Sequence, residues 1–371
     1  MTESGKRDEL IDVIKGIGIF LMVLRHARFP KSDVVLLFHM AVFFIASGYL
    51  YKPFTLKKHD IRHFICRKIK TLWVPYAVTN LLFVTMNNLL IKCNIYTLED
   101  TYAHLGNIEN FAVSKIYTWM DYIKCVVLSM GFQLNTNLGG ATWFYGTLFG
   151  VLILYAVLDY VLLSIEQIPI RRIVRVGVAI VSSLIGFVCM IKGYSFKGLS
   201  RVFTVYPLIE IGRIFKEDNI ASGLTKMKMQ VVGLISIALL GIGYQFGNIS
   251  LVENQIVNPI FFLSMSVAGW FLMCNIAKLM LMSNHLKSFF ELLSKQSIWI
   301  IGCHFLAFKV VTVIEIVIAG VDWIYLSAFP VFLHGFVWSI FYTIAGLGIP
   351  LLMQEGYACI LNKVRTVTIK E

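Results

Sequence analysis

The chain is a succession of apolar runs, each close to the length a helix needs to cross a lipid bilayer, separated by short charged segments. A hydrocarbon core of about 30 Å takes about 20 helical residues. Backbone groups inside it must be satisfied within the structure that spans it, which leaves helices and closed barrels. The ten-residue alternation of barrel strands is absent. Runs at approximately 9–29, 34–51, 71–92, 142–163, 173–191, 201–215, 229–247, 256–277, 289–309 and 331–353 therefore predict an all-α, polytopic transmembrane helical bundle of about ten spans. The tract 310–330 reads as weak. Composition agrees, with 58% hydrophobic residues, 15% charged residues and a mean hydropathy of +0.75, values foreign to a water-soluble domain.

The formal charge of +12 reads first as orientation rather than as nucleic-acid binding, because Lys and Arg concentrate in loops that stay in the cytoplasm. With the N-terminus inside, most of the 33 basic residues fall on one side. They include Lys6, Arg7 and Lys15, the run from Lys52 to Lys70, Arg171, Arg172 and Arg175, Arg213 and Lys216, and Lys363, Arg365 and Lys370. Both termini are expected in the cytoplasm of a multi-pass protein of the inner or plasma membrane. The first run follows Asp8, Glu9 and Asp12 and has no cleavage pattern after it, as in an uncleaved anchor. Seven scattered cysteines without CxxC spacing predict neither a disulfide framework nor a metal site. No linker or internal repeat divides the runs, so one domain is expected over 1–371.

Two segments interrupt the succession. "YKPFTLKKHDIRHFICRKIKTLWVPY" sets Ile61, Phe64, Ile65 and Ile69 against a cationic side, the pattern of a cytoplasmic amphipathic helix at a lipid surface. The long outer segment from Cys93 to Thr142 carries Tyr102, Tyr117, Trp119 and Tyr122, which predict interfacial seating. It ends in "GFQLNTNLGGATWFYGTLFG", an irregular backbone that is tolerable near a membrane only against protein or an aqueous cavity. That makes it a cover over a site.

The candidate chemistry lies in "LRHARFPKSDVVLLFHMAVFFIASGYL". A turn between Ser32 and Asp33 carries His26 and His39 to similar depth near the outer half of the membrane, where the two imidazoles are expected to meet. A desolvated imidazole favours its neutral form, the form that takes a proton from an alcohol. On the same helix Lys15 precedes His26 by eleven residues, a rotation within about 20° of three turns and a rise of about 16 Å. Asp12 is spaced to pair with Lys15. The geometry suggests a lane in which a long ligand with an anionic head rests on cytoplasmic cations and presents its reactive end at the histidine.

"DVIKGIGIFLMVLRH", "FHMAVFFIASGYLYKP", "RKIKTLWVPY" and "TWFYGTLFG" stand in an order that resembles the acyltransferase-3 family of integral membrane acyltransferases, which commonly O-acetylate glycans. Lys15, Gly16 and His26 occupy the places of that family's Arg–Gly pair and essential histidine, with Lys for Arg. His39, Ser47, Gly48 and Tyr49 match a second segment, with Ala41 where Pro is usual. Arg67 and Lys70 match an Arg-x-x-Arg pair. "VYPLIEIGRIF", through Pro207 and Gly212, and "SIWIIGCHF", through Ser297 and His304, are similar to later pieces.

The resemblance implies an enzyme that transfers an acetyl or other short acyl group from cytosolic acyl-CoA to a hydroxyl of an extracytoplasmic sugar or glycan. Acetyl-CoA is the expected donor, and no permanently bound cofactor is expected. His26, His39 and His304 are the catalytic candidates, His304 also as a group that orients His26. Lys15, Arg67 and Lys70 are candidates for the donor phosphates, and Trp143 and Asn137 for the acceptor. His26 acts either as base or as a transient acyl carrier. The developing oxyanion takes a donor from His39, His304 or a backbone N–H of Gly139–Gly140. Ser47–Gly48 is expected to let helices approach closely, and Glu210 and Arg213, three apart on one helix, to neutralise each other. The expected partners are acyl-CoA, a glycan and membrane lipids, with no nucleic acid. The competing class is a transporter or flippase for a lipid-linked glycan or polymer, in which intramembrane His and Arg line a path instead of doing chemistry.

Overall fold

In the computed structural model the apolar runs fold as helices. The structure describes residues 8–54, 61–98, 110–195, 198–220 and 226–368, with backbone alone for Lys226 and from residue 361 onward. Lys6, Arg7, Lys57, Tyr102 and Lys370, and the side chains of Lys363 and Arg365, lie outside the described residues. The helices are α1 (Glu9–His26), α2 (His39–Tyr49), α3 (Ile61–Lys68), α4 (Val74–Thr85), α5 (Asn87–Lys92), α6 (Trp119–Met130), α7 (Trp143–Val161), α8 (Ile168–Ile191) and α9 (Leu199–Glu217). They continue with α10 (Lys226–Phe246), α11 (Pro259–Met280), α12 (Asn284–Lys295), α13 (Ser297–Ala319) and α14 (Phe336–Thr368). Among the described residues the sheet is one parallel pair, Thr97–Leu98 with Val113–Ser114.

Local chemistry sets several boundaries. Asn258 caps α11 by accepting from Phe261 N–H at 2.8 Å, followed by Pro259 at the first helical position. Between α3 and α4 the backbone widens into a π turn, Ile69–Trp73, just before Pro75, which has no N–H to return to the preceding turn. Gly320, at φ +64°, ends α13 in the left-handed conformation that glycine adopts without strain.

Among the described residues, seven stretches are long and apolar enough to cross a membrane: Ser32–Tyr49, Gly140–Ser164, Ile168–Ile191, Met227–Phe246, Pro259–Met280, Ser297–Ala319 and Phe336–Ile360. The chain is a multi-pass membrane protein. The other expected spans fall on α1, α4 and α9, and each misses for a physical reason. α1 carries Glu9, Asp12, Lys15 and Arg25, α4 is short, and α9 carries Arg201, Glu210, Arg213, Lys216 and Glu217. The span expected at 289–309 lies further along, because α12 and α13 are separate helices and α13 runs to Ala319. Lys309 and Glu315 lowered the apparent hydropathy there, yet both are buried and bonded inside the protein.

The chain packs as two compact units. The first holds residues 1–18, 33–75 and 143–291. Within it α9 packs on α2, α7 and α8, and α10 on α11. α2 and α9 meet backbone to backbone: a Cβ on Gly48 would overlap the Ile209 backbone, and one on Gly212 the Ile45 backbone. This is the close approach expected of Ser47–Gly48. Gly16 is likewise pressed on the backbone of Phe290.

Glu210 and Arg213 do not pair with each other, because each finds a better-placed partner on a neighbouring helix. Arg213 donates to Asp159 at 2.6 Å and to Glu217 at 2.7 Å, while Arg175 reaches Glu210 at 3.1 Å and Glu217 at 2.9 Å. Tyr155 donates to Glu210, and Asp159 also accepts from the backbone N–H of Phe54 at 2.9 Å.

The second unit holds residues 19–32, 76–142 and 292–371. Its centre is α13 packed on α14. There Tyr342 donates to Glu315 at 2.5 Å, and Lys309 donates to the carbonyls of Leu326 and Ala328 at 2.9 and 2.5 Å.

Candidate active site

His26 is the last residue of α1. The cationic Arg25 beside it suits the negative end of a helix dipole, and the chain then leaves the helix through Arg28 and Lys31 at φ +54° and +60°. Left-handed backbone at two non-glycine residues so close together is a strain that surrounding structure must hold.

Within the second unit, Nδ1 of His26 lies 2.8 Å from Nε2 of His304. The rings are 9° from parallel with centroids 5.0 Å apart, and with the nitrogens this close they meet edge to edge rather than face to face. The donors follow from the network. Nδ1 of His304 is 2.8 Å from the carbonyl oxygen of Ile300, and a carbonyl can only accept, so that nitrogen carries the hydrogen. In the neutral pair Nε2 of His304 then holds the lone pair and accepts from Nδ1–H of His26. The lone pair of His26 is therefore on Nε2. His304 is wholly buried, whereas His26 is half-buried. The partly accessible ring carries the basic nitrogen and the inaccessible one orients it.

Phe305 is the wall of this pair, 4.8 Å from the His26 ring centroid and 4.0 Å from that of His304. Phe329 backs it at 4.7 Å. Lys309 ties down the segment that carries Phe329 through its two carbonyl bonds, a use of a buried ammonium that satisfies donors without a carboxylate. The turn Gly140–Thr142 packs on α13, where a Cβ on Gly140 would stand 3.5 Å from the Phe305 ring. Asn80, wholly buried, holds that turn. It donates to Thr142 Oγ1 at 2.8 Å and accepts from the Thr136 hydroxyl at 3.0 Å.

The other expected residues are placed as follows. His39, in the first unit, opens α2 and donates from Nδ1 to the Val35 carbonyl at 2.8 Å. Lys15 pairs with Asp12 at 2.9 Å, as its spacing predicts. Arg67 and Lys70 are exposed, Lys70 inside the π turn. Burial, and then the charge of Arg67, push the neighbouring Lys68 down to about 8. Among the described residues no carboxylate pairs with Arg67, Lys68 or Lys70.

The face of Trp143 meets the Arg201 guanidinium at 4.8 Å, and Asn137 donates to the Val113 carbonyl at 2.8 Å, holding the short strand Val113–Ser114. The N–H groups of Gly139 and Gly140 already donate to Thr136 Oγ1 and to the Asn137 carbonyl, each at 3.1 Å.

Sequence reasoning missed Asn80, Phe305, Lys309 and Phe329. A polar residue within an apolar run was the available signal for Asn80 and Lys309. Nothing distinguishes the two phenylalanines from the 28 in the chain.

In a comparison with known families the chain matches the acyltransferase-3 model, described as an acyltransferase domain, over residues 8–355. No curated protein and no solved structure matches.

Proposed function

The chain belongs to the acyltransferase-3 family, and from that membership we propose that it is an O-acyltransferase of the inner or plasma membrane. It takes an acetyl or other short acyl group from cytosolic acyl-CoA and places it on a hydroxyl of an extracytoplasmic sugar or glycan. The observation that carries this reading is the hydrogen-bonded series Ile300 O, His304, His26, in which a neutral His26 keeps its lone pair on Nε2.

In the direct route Nε2 removes the proton of the acceptor hydroxyl as its oxygen attacks the thioester carbonyl. The C–O bond forms, the C–S bond breaks, and the imidazolium returns the proton to the departing thiolate. No net proton is consumed. General-base action of this kind contributes about 10²–10⁴-fold. His304 is a positioning residue in this scheme, since both its nitrogens are already bonded. If His26 instead carries the acyl group, a rapid-quench experiment shows a burst of acyl-enzyme, which the direct route lacks.

The donor phosphates are proposed to lie against Lys15, Arg67 and Lys70. The cationic end formed by Arg67, Lys68 and Lys70, without acidic partners among the described residues, supports an anionic ligand there. The test compares glycan ester content by mass spectrometry in cells making the wild-type protein or His26→Ala at equal level. Loss of the ester is expected, and unchanged ester content rejects the assignment.

A further inference from the structure

We infer that α6 lies in the plane of the membrane with one face in lipid, and that this seat anchors the turn packed on Phe305. Trp119, Met120, Ile123, Val126, Val127 and Met130 are between 44% and 77% exposed. Stepping about 100° per residue, all six fall within an arc of about 120°. The opposite side of the helix carries Cys125 and Ser129, both buried. The helix thus rests on protein along one side and presents an uninterrupted apolar stripe along the other, which water does not reward.

At about 18 Å, α6 is too short to cross a core of about 30 Å. Its N-terminus is also fixed in a polar medium. Lys115 pairs with Asp121 at 2.6 Å, and Asp121 accepts from the Thr118 backbone N–H at 2.9 Å. A helix with charged groups at its start and an apolar stripe along its whole length is accommodated lying in the interface, stripe inward. Lys115 and Lys124 beside the stripe suit lipid phosphates. The occupant we assign is the bilayer itself, into which the chain returns at α7, directly after this segment.

The seat reaches the site through a short series of ties. Gln133 N–H closes α6 on the Leu128 carbonyl at 2.9 Å, Tyr76 donates to the Leu134 carbonyl at 2.6 Å, and Thr136 is held by Asn80. Gly140 follows, against Phe305. Membrane lipid is then a partner of the second unit, whatever reaction His26 performs.

The test uses full-length protein in liposomes with the exposed Cys66, Cys93 and Cys359 changed to Ser. An environment-sensitive fluorophore is attached at Ile123→Cys or Val127→Cys, with Lys115→Cys as control. Quenching by a nitroxide placed high on the lipid chain is expected to be several-fold stronger at 123 and 127 than at 115. Equal quenching at the three positions, quenching by aqueous iodide at 127, or a disulfide between copies at Val127→Cys overturns the proposal. In a second arm Ile123→Asp combined with Val127→Asp is expected to raise hydrogen exchange several-fold over 133–142 while α13 stays protected. Unchanged exchange there overturns the anchoring. Should that variant fail to fold, the fluorophore arm still decides the lipid seat.

Discussion

The tautomer of His26 rests on an atom that cannot reverse its role, the carbonyl of Ile300. This makes His304 testable apart from general damage to the core. His304→Ala removes the acceptor of Nδ1–H, so His26 loses its reason to keep the lone pair on Nε2, and kcat is expected to fall about 10²–10⁴-fold with little change in KM. His304→Gln can offer an amide oxygen to the same N–H, and is expected to recover at least a tenfold part of the loss. Initial rates against both substrates check this, and equal kcat for the two variants would reduce His304 to packing. The spacing of His26 from Lys15 was legible because both sit on one helix, whose period converts sequence distance into direction. Its partner was not, since His304 is 278 positions away and no local pattern links the two.

Helices here approach according to what the sequence leaves off as much as what it carries. Gly48 was recognisable as a contact point from the small pair Ser47–Gly48 in an apolar run, whereas Gly212, noted only through the family resemblance, proves to be its counterpart where α2 and α9 meet backbone to backbone. Gly212→Ala would force the two backbones apart, at a cost of about 1–3 kcal/mol. Arg213→Met next to it leaves Asp159 charged and buried without its partner and is expected to cost more, about 3–5 kcal/mol. Thermal unfolding in detergent, followed by monodisperse elution, ranks the two, and the reverse order would show that the close approach outweighs the ion pairs. Those pairs were illegible because Asp159, Arg175 and Glu210 come from three helices. The displaced span at α13 has a similar cause: hydropathy treats Lys309 and Glu315 as solvated, whereas the fold buries both and bonds Lys309 to two carbonyls and one oxygen of Glu315 to Tyr342. Outside the spans, the cap of α6 has a definite pH dependence. The hydrogen bond from Lys115, and then those from Thr118, hold the Asp121 carboxyl well below the usual carboxylate range. A depressed value means that the contribution is complete above the unfolded value and disappears only as pH falls through the lower, folded one. Exchange of α6 amides, corrected for intrinsic rate, is therefore expected to show equal protection at pH 8 and pH 5, and Asp121→Asn to lower it at both.

For the whole molecule, orientation is a statement about charge and not about packing. Apolar length defines which stretches cross the membrane, but only the distribution of Lys and Arg says which end of each lies inside, because cationic loops resist translocation. The basic run around α3 and the cluster at Arg171, Arg172 and Arg175 both argue for the cytoplasmic side, and the stretch from Cys93 to Thr142 for the outer side. The protein carries its own probes of this. Cys66, on α3, and Cys93, just after α5, are both exposed. In intact cells a membrane-impermeant maleimide is expected to modify Cys93 and spare Cys66, and opening the cells should make Cys66 react as well. Because the two cysteines flank α4 and α5, the result depends on one passage through the membrane. If both react in intact cells, that passage does not occur, and the acceptor side assigned to His26 loses its support along with it. If Cys66 alone reacts, every later loop exchanges sides, and the cations proposed for the donor phosphates would face away from the cytosolic acyl-CoA they are meant to bind.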